Sequence, residues 1–262
     1  MISSVVQDAF VESIREISVS LSISTDFISP PLSLQGHNTE LQNIKRSFED
    51  IYNSVPATHR NILNSSIILT SYAVYESYVH ELMESFIEEC CKISGSIGQL
   101  DEKLRRFHIQ VVADRVSRAG KEESKILDSV SDAMKELQYH SSLTIPPHFD
   151  KSICRELHNN FRFSELNSCL SRIGANGFAN FVIHSDNLQI ALSKTNLCHD
   201  DIRIPLDDFV STRNELMHSF DVSKAKGRDW IEEKLEFLKL IVSEINNFLG
   251  ECLQTAMEDQ LS

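Results

Sequence analysis

The strongest constraint on the fold is a single apolar seam. Ile68, Tyr72, Tyr75, Val79, Leu82, Phe86 and Cys90 recur three or four residues apart. That spacing puts them on one stripe of an α-helix and is incompatible with the two-residue period of a strand. The pattern predicts a long helix from about Thr58 to Ile93. Glu76 and His80 fall on the flank of the seam, beside Leu69, Ala73, Met83 and Ile87. A glutamate placed there is half buried and needs a partner.

The helical period continues almost throughout. Val6, Phe10, Ile14, Ile17 and Leu21 mark a helix over 5–21. Pro30, Pro31 and Gly36 make 22–37 a loop, and Asn38 can cap a helix carrying Leu41, Ile44, Phe48 and Ile51. A basic helix covers 101–118, and KEESKILDSVSDAMKELQ reads as another, ended by Pro146 and Pro147. Gly174 and Gly177 mark a turn. Two helices close the chain. One starts after Pro205 and carries Leu206, Phe209, Val210, Leu216 and Phe220. The other starts near Asp229, which has capping-box spacing to Glu232, and its seam runs from Ile231 to Leu249. FVIH (181–184) is a weak strand candidate. The fold class predicted is therefore all-α.

Composition removes several function classes. No run of about 18 apolar residues appears, so no membrane-spanning helix is expected. The N-terminus lacks a basic region followed by an apolar block, and no signal peptide is read there. The six cysteines include no C-x-x-C pair, and adjacent Cys90 and Cys91 read as small core residues of a helix. Free thiols in a reducing, cytoplasmic compartment are the simplest reading. The net charge is −13, from 38 acids against 25 bases. That argues against a broad nucleic-acid surface but leaves room for a small basic cleft. It also suits an antitoxin-like role with a basic partner.

Arg213-Asn214-Glu215-Leu216-Met217-His218 is the segment with the most chemical content. Arg213 lies on the apolar phase of its helix, in line with Phe209, Leu216 and Phe220. Burying a guanidinium costs several kcal/mol unless it is paired. It must meet a carboxylate, or line a cleft that receives an anion. His218 lies five residues on, roughly 140° around an ideal helix. The two groups diverge on one straight helix. A helix end near His218, or a second copy across a two-fold axis, would bring them together.

Such a pair suits cleavage of RNA by its own 2′-hydroxyl. His218 can move protons near neutral pH. Arg213 can hold the phosphate through its planar fork, and Asn214 could orient either group. The basic stretch KLRRFHIQVVADRVSR reads first as a solvated charged face. In SKAKGR, Lys224, Lys226 and Arg228 follow the motif directly and are candidates for RNA phosphate contact. The remaining histidines show no zinc-ligand spacing, and there is no nucleotide-binding loop. No metal or cofactor is expected.

RNELMH resembles the Arg-x4-His signature of the HEPN superfamily, in which a polar residue, often Asn, follows the arginine. ILTSYAVYESYVHEL resembles the helix with a central glutamate found in HEPN families of the RiboL-PSP and MAE_28990 type. SELNSCLSRIG and the helix after RNELMHS fit the same layout. The likeness covers roughly 60–93 and 160–255. Ser219 stands where many members have glycine.

The resemblance implies a HEPN-like helical bundle with extra N-terminal helices, forming a two-fold dimer. Residues 1–57 would be N-terminal helices packing on the bundle. Residues 58–262 would be the HEPN-like domain, with a helical insertion at 101–150. It also implies a metal-independent endoribonuclease, a toxin or antiviral defence effector that leaves a 2′,3′-cyclic phosphate. Arg213, Asn214 and His218 would form the active site, supported by Glu76. Because some HEPN domains only bind or dimerise, the alternative is a non-catalytic antitoxin or subunit of a defence complex. A third reading is a HEPN toxin modified by a nucleotidyl-transferring partner.

Overall fold

A computed structural model describes residues 56–119, 154, 160–194, 202–219 and 221–261. All regular structure among them is helical: α1 (Ala57–Ile93), α2 (Glu102–Ala119), α3 (Phe163–Arg172), α4 (Phe178–Ile183), α5 (Asp186–Lys194), α6 (Arg203–Ser219) and α7 (Arg228–Leu261), with short 3-10 turns at Ile97–Gln99 and Val222–Lys224. The all-α expectation holds. The helices expected over 5–21, after Asn38 and after Gly120, and the break at Pro146 and Pro147, lie outside the described residues.

The seam of α1 is buried from Ile68 to Phe86, and Cys90 at its end is half buried. Ile68, Tyr75, Val79 and Leu82 are fully excluded from solvent. Burial of such side chains contributes about 1.5–3 kcal/mol each, which holds a helix this long in place better than its intrinsic propensity could. Glu76 is half buried, as its flank position predicts.

The described residues fall into two compact units. The first lies within Glu76–Arg203 and Leu240–Ser262. Here α2 packs on α3, α3 on α4 and α4 on α5. The core includes Met83, Ile87, Leu166, Leu170 and Ile245. Phe163 stacks on Phe178 with centroids 6.0 Å apart, and Phe178 and Phe181 both meet Phe248. Asp101 starts α2: its carboxylate accepts from the amides of Lys103 (2.8 Å) and Leu104 (3.3 Å). At the end of α3 the amide of Gly174 reaches Ser171 O and that of Ala175 reaches Leu170 O. That bond pair is a Schellman closure, and it requires the left-handed φ of 94° that Gly174 adopts.

The second unit lies within Asp8–Tyr75 and Ile204–Lys239. Its described core is built from Ile68, Tyr72, Tyr75, Leu206, Phe209, Val210, Leu216, Ile231 and Leu235. This unit carries the whole of RNELMH.

Three sequence readings need correction. FVI (181–183) is helical, in α4. Three apolar residues cannot by themselves separate a strand from a buried helical turn. Helix α6 starts at Arg203, so Pro205 sits inside the first turn, where its missing N–H has no intrahelical partner to lose. Helix α7 starts at Arg228, so Asp229 is already helical and is not the cap. Glu232, expected to complete a capping box, instead binds the Arg228 guanidinium at 2.6 Å.

Candidate functional site

Arg213 and Asn214 occupy the middle of α6, and His218 its last turn. Both Arg213 and Asn214 are half buried, whereas His218 is exposed. The Arg213 guanidinium carbon stands 4.3 Å above the ring centroid of Tyr72, from α1. One of its terminal nitrogens donates to Asn214 Oδ1 at 2.8 Å. Among the described residues no carboxylate forms an ion pair with it. A structural ion pair was one of the two readings open to a guanidinium on the apolar phase. An aromatic face fills that place instead. Stacking stabilises the cation by about 0.5–2 kcal/mol without neutralising it. The charge stays available to an incoming anion.

Tyr72 is itself fixed. It meets Tyr75 edge-on, with centroids 6.1 Å apart, and tilts against Phe209 at 6.4 Å. Phe209 in turn stacks on Trp230 at 6.1 Å. The Trp230 indole N–H donates to Asp208 Oδ2 (3.1 Å), and the same oxygen pairs with the buried ammonium of Lys234 at 3.2 Å. Sequence reasoning assigned Tyr72 to the core, which is correct, but missed that its outer face carries Arg213. It also missed the Asp208–Trp230–Lys234 cluster. The chain's only tryptophan was the available signal.

Helix α6 closes directly after His218. Ser219 Oγ donates to the carbonyl of Glu215 (2.6 Å) and accepts from the Asp221 amide (3.2 Å). Asp221 then caps the next turn, accepting from the amide (3.0 Å) and hydroxyl (2.6 Å) of Ser223. These hydrogen bonds hold the Asp221 carboxyl below the usual carboxylate range. Ser219 thus performs locally what glycine does at many helix ends. Since Arg213 and His218 both lie within α6, the roughly 140° divergence of an ideal helix applies to them.

The basic segment is unevenly committed. Lys224 and Lys226 are exposed. Lys226 stands 5.9 Å from the Trp230 centroid, and its carbonyl accepts from the Asn64 side chain at 2.8 Å. Arg228 is half buried and engaged by Glu232. Glu76 lies on α1, four residues after Tyr72, in the first unit. Among the described residues, no three of His, Cys, Asp and Glu gather as a metal site.

A family model for MAE_28990-like HEPN proteins matches residues 23–251. The chain belongs to the HEPN superfamily. Members of this superfamily are often RNases. No curated protein and no solved structure matches the chain. Among the described residues of this HEPN protein, no helix is long and apolar enough to cross a membrane.

Proposed function

We propose that this HEPN protein is a metal-independent endoribonuclease acting through a composite site formed by two copies of RNELMH. The observation that carries the reading is the state of Arg213: half buried, oriented by Tyr72 and Asn214, and without a carboxylate partner among the described residues. In this mechanism Arg213 binds the scissile phosphate and offsets the charge that builds on it. A His218 imidazole takes the proton of the ribose 2′-hydroxyl. That oxygen attacks phosphorus, and the bond to the 5′-oxygen breaks. The departing oxygen takes a proton from a His218 imidazolium of the composite site, leaving a 2′,3′-cyclic phosphate and a 5′-hydroxyl. The divergence of Arg213 and His218 on α6 supports a two-fold dimer. Met217, 45% exposed beside His218, supports an apolar contact there. Lys224 and Lys226 are proposed to contact flanking phosphates. Arg228 joins them only by releasing Glu232. Glu76 is proposed as a supporting residue.

The test is the chemistry of the ends. RNA incubated with the protein in EDTA should yield 2′,3′-cyclic phosphate and 5′-hydroxyl termini, and light scattering should report a dimer. A monomer, or products with 5′-phosphates, contradicts the mechanism. The charge of −13 favours one alternative, a non-catalytic antitoxin or subunit of a defence complex. A stable complex with a basic partner, together with no cleavage, would decide for it.

A further inference from the structure

The first unit contains a cleft between α2 and α3 that the reading above does not use. Its volume is about 560 Å³, within the range of about 300–1,000 Å³ common for ligand sites. Lys103, Arg106 and Gln110 line it from α2, and Ser168, Ser171 and Arg172 from α3. Every charged residue in the lining is a cation, in a chain whose acids outnumber its bases 38 to 25. Arg106 is offset by Glu102 at 2.5 Å. Lys103 donates to Ser171 Oγ at 3.2 Å and to Asn176 Oδ1, neutral partners that orient the ammonium without cancelling its charge. Arg172 forms no ion pair among the described residues.

The polar lining completes the picture. Asn167, also in the cleft wall, accepts from the Ala179 amide through its oxygen at 3.1 Å, so its N–H donors are left for a ligand. The Ser168 hydroxyl adds a further donor, whereas that of Ser171 is given to Asn176 Oδ1 at 2.9 Å and helps to hold the Lys103 partners in place. Both cations are set on fixed backbone: Lys103 in the first turn of α2 behind the Asp101 cap, and Arg172 in the last turn of α3 before its Schellman closure.

We infer that this α2–α3 cleft is a second anion site, which binds the phosphate of a nucleotide unit through Lys103 and Arg172. A guanidinium fork, an ammonium and neutral donors suit an oxyanion with several acceptor oxygens. The phosphate can belong to an RNA strand or to a free nucleotide. The inference stands on the cleft alone and survives if the RNase reading fails.

Full-length protein carrying His218→Ala, so that no probe is consumed, is titrated with a fluorescein-labelled single-stranded RNA and, separately, with a fluorescent ATP analogue. Anisotropy reads binding. Adding Lys103→Gln and Arg172→Gln together should weaken at least one probe about tenfold. For RNA it should also flatten the slope of log affinity against log salt by roughly 1.4, the share of two phosphate contacts. Loss confined to RNA identifies a strand site, and loss of ATP binding identifies a nucleotide site. If circular dichroism shows the double variant unfolded, Arg172→Gln alone, at an exposed position, decides with an expected threefold loss. The inference is overturned if the parent binds neither probe, or if the folded variants bind both as the parent does.

Discussion

The guanidinium of Arg213 rests on the ring of Tyr72, 4.3 Å from its centroid, and Tyr72 is almost completely buried. A core residue therefore sets the orientation of the candidate phosphate-binding group. Tyr72→Phe keeps the ring and should leave RNA cleavage within about threefold of the parent. Tyr72→Leu removes the face. It should lower single-turnover cleavage about 5- to 30-fold, the equivalent of a stacking contribution of about 1–2 kcal/mol. Equal rates for the two variants would show that the stack has no part in orienting the arginine.

Lys234 is buried against Asp208, and Asp208 also holds the Trp230 indole. Asp208→Ala leaves a buried ammonium with Glu233, at 3.5 Å, as its one carboxylate partner among the described residues. The Asp208 side chain is 40% exposed, so solvent screens the pair. The expected loss in urea unfolding is about 2 kcal/mol, below the 3–5 kcal/mol of a fully buried pair. Lys234→Met, which removes the charge and keeps the stem, should cost much less.

Gly174 and Gly177 both hold positive φ, at 94° and 98°. A Cβ on Gly177 meets nothing within 4 Å, so Gly177→Ala should cost about 1 kcal/mol, from backbone strain alone. A Cβ on Gly174 would come within 3.0 Å of the Asp101 carboxylate, the cap of α2. Gly174→Ala should cost clearly more, and thermal unfolding of the two variants gives the order.

Much of this architecture is legible in the sequence. The α1 seam predicts its helix to within a residue at its N-terminal end, because a long amphipathic period is overdetermined. The cap of α7 is misread because Asp229 and Glu232 have the right spacing, yet Arg228 competes for Glu232. The motif RNELMH is visible as a divergent Arg–His pair on one helix. Its support by Tyr72 is not, because packing of α6 on α1 decides which aromatic face meets the guanidinium. The α2–α3 cleft is likewise hidden. KLRRFHIQVVADRVSR reads as a solvated face until α3 brings Arg172 and two serines opposite it.

Burial pushes the Cys90 thiol up to about 12, and the Cys91 and Cys252 thiols to about 11. A group that keeps its proton more tightly when folded stabilises fully below its unfolded value, here about 9. That contribution is lost as pH rises from about 9 towards the folded values. Urea stability should therefore fall between pH 8 and pH 10.5, and a Cys90→Ser/Cys91→Ser/Cys252→Ser variant should show a flatter dependence. Thiol reagents at pH 8 should react far faster with unfolded than with native protein.

The central claim is that Arg213 and His218 carry out RNA cleavage. Its most direct test is the single-turnover cleavage rate of an RNA substrate in EDTA, for the parent protein, Arg213→Ala and His218→Ala. Each substitution should lower the rate about 100-fold or more, with the helical circular dichroism signal unchanged. Cleavage that survives both substitutions at the parental rate would contradict the assignment.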